Sequence, residues 1–193
     1  MGKIVVTEFI SVDGVIEAPG PVEDYKHRGW TFDFDRGEEG NQFKVDELSA
    51  AEAQLLGRVT YEGFAAAWPQ MKDMGEFGDK MNNMPKYVFS NTLKSADWTN
   101  TTVLRGDLGE EAAKLKQELD GIILVAGSAR LVQGLLEHGL VDELRLMVFP
   151  LILGSGKRLF PDDAESKAIL RLADAKTVGD GVEILTYRPA SSR

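Results

Sequence analysis

The chain has 193 residues, 43% of them hydrophobic, with no cysteine, two histidines, and 31 acidic against 22 basic side chains for a formal net charge of -9. That length suits a single domain, residues 1–193, with enough apolar side chain to bury a sizeable core. Disulfides, thiolate catalysis and thiolate metal sites are excluded, and His27 and His138 alone cannot build a histidine-rich metal site; the negative balance also disfavours nucleic acid and anionic membranes as partners. No apolar run approaches the roughly 20 residues that span a bilayer, and the opening MGKIVVTEFI lacks the build of a secretory signal, so a cytoplasmic location is expected.

Residues 3–10, KIVVTEFI, are rich in β-branched side chains and read as the first strand. Asp13-Gly14 between Val12 and Val15 marks a tight turn, which Ala18 to Pro21 extend as a loop. From there to Gly40 the pattern is irregular, but it carries Tyr25, Trp30, Phe32 and Phe34 among Asp33, Asp35, Glu38 and Glu39. Two readings stay open: a cap on one end of the core, or a pocket with an aromatic wall and a carboxylate. Val45, Leu48, Ala51 and Leu55 give a helix over about 43 to 53, passing into a short buried strand near Gln54 to Leu56.

Gly57, Arg58, Val59 and Thr60 then place a glycine, a cation and a hydroxyl between that strand and a helix. Pro69 and the Met, Gly and Asn content of residues 70–84 indicate a surface excursion. Lys86 to Ser90 form another short strand, and Val103-Leu104 a further one before Arg105. Asp107 and Glu110 make a capping box for a helix that Asp120-Gly121 ends. Ile122 to Ala126 is too continuously apolar for a half-exposed strand and reads as covered on both faces. Gly127 and Ser128 interrupt the run, and Leu131, Val132, Leu135 and Leu136 return at helical spacing.

A strand feeding a helix through glycine leaves unpaired N–H groups and the positive end of the helix dipole, which suit phosphate. One such junction is equally an ordinary turn. Two, each with an arginine within three residues of the glycine, suggest a diphosphate between helix ends. Residues 144–149 form a strand, and LILGSGKRLF a loop whose Gly154-Ser155-Gly156-Lys157 lacks the full spacing of a phosphate loop. Residues 168–178 and 182–188 flank Gly179-Asp180-Gly181 as an antiparallel hairpin, and the final ASSR reads as disordered. Leu151, Ile152, Leu153, Leu159 and Phe160 are more apolar side chains than one loop readily hides, which points to a homodimer. The alternation from residue 54 to 138 gives an α/β fold: a mixed, mostly parallel sheet with helices on its faces and a C-terminal antiparallel hairpin. Its strand ends at Gly57, Ser90 and Gly127 share the edge where open α/β sheets bind ligands.

The succession SVDGVI, LLGRVTYEGF, KYVFSNTL, ILVAGSARLVQGLL and VDELRLMVFPLILGSGKRLF resembles the dihydrofolate-reductase-like superfamily, and within it the riboflavin-biosynthesis reductase (RibD C-terminal) domain. The resemblance implies a three-layer αβα domain, often dimeric, that binds NADPH and passes a hydride to a small heterocyclic or sugar-linked substrate. Reductases of 5-amino-6-(5-phosphoribosylamino)uracil and of dihydrofolate are its models. It implies that Gly57, Arg58, Val59 and Thr60 contact the cofactor phosphates. It places Ser90, Asn91 and Arg105 beside the adenosine and its 2′-phosphate, and Gly127, Ser128, Ala129 and Arg130 at the diphosphate. The turn from Asp13 to Ile16 becomes a mobile lid over the nicotinamide. Trp30, Phe34 and Glu38 are candidates for the substrate side, and Glu39 or Asp13, directly or through water, for delivery of the proton. In place of the paired aspartates and arginine of riboflavin reductases this chain has RVTYEGFAAAWP, closer to dihydrofolate reductase. The alternative from a different class is a non-catalytic nucleotide- or ligand-binding module of the same fold.

Overall fold

The computed structural model describes residues 1–71, 73–160 and 167–190. Its strands are β1 (Lys3–Ser11), β2 (Ala51–Gly57), β3 (Lys86–Phe89), β4 (Thr101–Leu104), β5 (Ile122–Ala126), β6 (Val141–Phe149), β7 (Leu170–Val178) and β8 (Val182–Pro189). The helices are α1 (Gly37–Ala50), α2 (Arg58–Ala67), α3 (Gly75–Asn83), α4 (Leu108–Glu118) and α5 (Ala129–Glu137). One eight-stranded sheet runs in the order β4-β3-β2-β5-β1-β6-β8-β7. All pairs from β4 to β6 are parallel, while β8 is antiparallel to both its neighbours. The expected mixed αβα sheet and C-terminal hairpin are therefore present.

Alternation along the central strands divides the core between the two faces. Ile4, Val6 and Ile10 of β1 pack with Ile123 and Val125 of β5 beneath Ala112 and Leu115 of α4 and Leu131, Val132 and Leu135 of α5. Val5, Leu56, Val88 and Leu124 face the other way, toward Leu48 of α1, Tyr61 of α2 and Met81 of α3. Each such side chain, taken fully out of water, contributes about 1.5–3 kcal/mol. A third cluster, Trp30, Met147, Phe149, Val178, Val182 and Ile184, closes the hairpin end of the sheet.

Three local expectations are corrected. The helix expected over 43 to 53 begins at Gly37 and gives way to strand at Ala51. Its first turns are polar, so apolar spacing misses them. Their start is set instead by the Asp35 side chain, which accepts from Gly37 N, and by the hairpin tip, where Asp180 Oδ2 accepts from Asp35 N. The surface excursion of residues 70–84 contains α3, whose Met81, followed by Met84, enters the core. Leu159, expected on an exposed apolar loop, is fully buried, and Leu151 and Leu153 pack on the third cluster. Only Ile152 and Phe160 of that group stay exposed. Of the final ASSR expected to be disordered, Ala190 donates its N–H to Ile169 O at 2.8 Å, and residues 191–193 lie outside the described residues.

Candidate functional site

β2 and β5 are parallel neighbours, so their C-terminal ends bring two helix starts side by side. A Cβ on Gly57 would lie 2.0 Å from Ser128 Oγ, and one on Gly127 would lie 3.2 Å from both Thr60 Oγ1 and Thr60 Cγ2. The junctions are thus in direct contact, and glycine is what permits the approach. Gly127 and Ser128 both have left-handed φ, 69° and 71°, and a non-glycine residue such as Ser128 holds that backbone at a cost of about 1–2 kcal/mol. Neither α2 nor α5 receives a side-chain hydrogen bond from its N-cap residue. Two positive helix ends therefore converge on one edge of the sheet with their first-turn amides uncapped. Arg58 forks onto Glu62 of its own helix at 3.1 and 2.9 Å, a half-exposed pair of small intrinsic worth that an anion can replace. Arg130 is exposed and has no ion pair among the described residues. Val59 is exposed at the mouth, and Ala129 packs inward against the core. This arrangement fits a diphosphate.

Beyond β2, the ends of β3 and β4 bring Ser90, Asn91 and Arg105 together. Ser90 Oγ accepts from Thr92 N and Leu93 N, at 3.2 and 3.0 Å. The Asn91 side chain pairs with the Gly106 backbone, accepting from its N–H at 2.8 Å. Arg105 donates to the carbonyls of Ser90 and Leu93 and is otherwise exposed. The group forms a shaped rim next to the helix ends, with one exposed guanidinium.

The remaining sequence candidates fall elsewhere. Asp13 Oδ1 accepts from Ser11 Oγ at 2.6 Å and from Leu153 N at 3.1 Å, while Oδ2 accepts from Gly154 N at 2.8 Å. Desolvation pushes this carboxyl up, but these hydrogen bonds outweigh it and hold it at about 2. Asp13 is therefore an ionised latch, unsuited to donate a proton near neutrality. Around it the expected lid is interlocked with the loop from 151 to 159: Ile16 N donates to Lys157 O, Leu159 N to Gly14 O, and Val15 bridges Arg158. The Gly154-Ser155-Gly156-Lys157 segment is a packing loop.

Of the two readings of the aromatic segment, burial favours the core cap. Trp30 is buried edge-on to Phe149, its Nε1 donating to Glu17 O, and Phe34 also meets the Phe149 ring edge-on. Glu38 and Glu39 are exposed on the first turn of α1, where Glu39 pairs with Lys176 of β7 at 3.1 Å. β7 is at the far edge of the sheet from β4, so these glutamates are not gathered with the glycine junctions.

Sequence reading missed Glu8. One glutamate in a β-branched strand looks like a solvent-facing residue, yet Glu8 is only 5% exposed and its Oε1 has no hydrogen-bond partner. Parallel register pairs Thr7 with Ala126, so Glu8 stands beside Gly127, one step past the end of β5. Burial raises its carboxyl to about 8, against the opposing pull of the Lys44 charge and the Gly127 backbone N–H. On the opposite sheet face, Glu47 of α1 accepts from Thr7 Oγ1, Lys44 Nζ and Arg145, forming a buried ionic group beside a cavity of about 440 Å³. That cavity is lined by Glu143, Arg145, Thr186 and Arg188 and lies toward the start of β6, not at the strand ends.

The sequence profile of the RibD C-terminal domain matches residues 2–184. Two uncharacterised proteins of Bacillus subtilis (strain 168) are similar over nearly their whole lengths. YyaP is 28% identical over 188 residues, 96% of this chain and 94% of its own. YwjB is 30% identical over 183 residues, 94% and 95% of the two chains. Among solved structures, a provisionally assigned riboflavin biosynthesis protein from Shewanella sp. PV-4 superposes with TM-score 0.76 at 22% identity, covering 97% of this chain and 99% of the other. Dihydrofolate reductase from Enterococcus faecalis, complexed with NADP(H), gives 0.62 at 16% identity over 98% and 97%. The deaminase/5-amino-6-(5-phosphoribosylamino)uracil reductase of Thermotoga maritima gives 0.66 at 16% identity, over 97% of this chain and 56% of that one. At such identities the superpositions show the fold.

Proposed function

Because the chain belongs to the RibD C-terminal domain family, we propose that it is an NADPH-dependent reductase of a small heterocyclic or sugar-linked molecule. The observation that carries this reading is the contact of two uncapped helix N-termini at Gly57 and Gly127, a cradle that matches a dinucleotide's diphosphate. When bound, NADPH supplies the hydride. The protein's part is binding and alignment: first-turn amides of α2 and α5, with Arg58, Thr60, Ser128 and Arg130, hold the diphosphate. Arg105, on the rim made with Ser90 and Asn91, faces the 2′-phosphate, and the interlocked turn from Asp13 to Ile16 excludes water above the ring. The proton is not assigned to Asp13, which is ionised and engaged, nor to Glu39, which pairs with Lys176.

The reading also includes a homodimer, supported by exposed Leu172 on the edge strand β7 and Ile169 just before it, together with Ile152 and Phe160. Mixing the protein with NADPH and pterin, pyrimidine and small carbonyl compounds, while following loss of NADPH absorbance, tests the activity. Substrate-dependent oxidation is expected. Tight NADPH binding with no oxidation by any of these classes would favour a non-catalytic binding module, the reading that the consumed state of Asp13 supports.

A further inference from the structure

Glu8 is the feature of the molecule that neither packing nor the reductase reading uses. The other shielded carboxylates around β1 and β6 are neutralised: buried Glu47 by Lys44 and Arg145, partly buried Glu143 by Arg145 and Arg188. Glu8 has no ion pair among the described residues, and its Oε1 is buried without a partner. It sits where β5 ends, beside the Gly127 N–H, at the start of two consecutive left-handed residues that lead into α5.

We propose that Glu8 is a positioning residue for the ligand of this junction: as a neutral acid it holds the Gly127–Ser128 turn without adding charge, and its ionisation disfavours an anion bound there. This rests on the dinucleotide reading above and deepens it. The physical reason is Coulombic. A carboxylate beside Gly127, near the positive end of α5, would take up part of the field that otherwise attracts the diphosphate, and in a buried setting the repulsion is weakly screened. By linkage, bound diphosphate favours the protonated carboxyl, and protonation favours the diphosphate by the same factor. The charged groups around β1 are otherwise accounted for. Lys44 of α1 favours ionisation; Glu47 and Arg145 are tied to each other; Asp13 and Arg158 of the interlocked loops lie 3.9 Å apart; Arg58 and Arg130 are exposed at the helix ends.

The test is calorimetric titration of wild type and Glu8→Gln with NADPH from about pH 6 to about pH 9.5, with thermal melts to show that both are folded. For wild type the dissociation constant should stay flat to about pH 8 and then rise up to tenfold per pH unit; Glu8→Gln should match wild type at low pH and stay flat. Should the variant fail to fold, wild type alone decides: NADPH binding at about pH 9 should take up a large fraction of one proton, read from heats in buffers of different ionisation enthalpy. Identical pH profiles for the two proteins, or no proton uptake by wild type, would overturn the inference while leaving the reductase reading intact. Absence of NADPH binding at every pH in both would overturn that reading and this inference with it.

Discussion

Gly57 has no room for a methyl group, because Ser128 Oγ already occupies the place of its Cβ. Gly57→Ala should therefore destabilise the protein by about 1–3 kcal/mol in urea titrations, an overpacking cost. Adding Ser128→Gly should recover much of that loss, since it removes the clashing hydroxymethyl group. Ser128→Gly alone should stabilise by about 1 kcal/mol, because glycine holds φ 71° without strain. A double mutant no more stable than Gly57→Ala would show that the two junctions are not packed as described. Asp13 gives a pH test. Its folded carboxyl lies below its unfolded value of about 3.8, so its contribution is full above about pH 4 and is lost as pH falls toward about 2. Asp13→Asn should lower stability near neutrality by of order 1 kcal/mol, after solvent screening, and flatten the acid limb. An unchanged acid limb would remove Asp13 from the latch. At this scale the sequence showed the glycines and arginines, since backbone-limited positions and cations announce themselves by type. Glu8 was hidden because β1 lies mid-sheet between β5 and β6, a placement that its neighbours in sequence do not reveal. Trp30 was visible, but sequence could not say whether its ring fills core or lines a pocket.

The α1–sheet interface includes an ionic group built on the buried Glu47, with Thr7 and the partly exposed Lys44 and Arg145. Arg145→Ala leaves Glu47 to Lys44 alone, so it should cost about 1.5–3 kcal/mol by chemical denaturation, the worth of a hydrogen bond between charged groups. Replacing Arg145 and Glu47 together by methionine should cost far less. Equal losses for the single and double changes would mean that packing, not charge, holds α1. Elements with strong periodicity were legible: β5 from its continuous apolar run, α5 from its leucine spacing, and the hairpin from Gly179-Asp180-Gly181. Asp107 caps α4 as expected, its side chain accepting from Glu110 N. Less legible were α3, whose buried face is a pair of methionines amid polar residues, and the first turns of α1. There the helix begins because Asp35 and the distant Asp180 organise its entrance.

For the whole molecule, the parallel order from β4 to β6 brings the strand ends at Gly57, Ser90 and Gly127 to one edge of the sheet, as their pattern in the sequence implied. The substrate side was less legible, because Trp30 and Phe34 pack in the third cluster while Phe32 of the same segment stays exposed. No described helix is long and apolar enough to cross a membrane. Light scattering at micromolar concentration should give about twice the mass of one chain; a monomeric mass would contradict the role proposed for β7, with its exposed Leu172, and for Ile169 just before it. The central claim is that the paired helix ends hold the diphosphate of NADPH, and the most direct measurement is calorimetric titration of wild type and folded Gly127→Val with NADPH and NADH. Wild type should bind NADPH about tenfold or more tightly than NADH, the worth of one charge-assisted contact from Arg105, and Gly127→Val should bind neither. Equal constants for the two dinucleotides would remove Arg105 from the 2′-phosphate, and undiminished binding by a folded Gly127→Val would contradict the site itself.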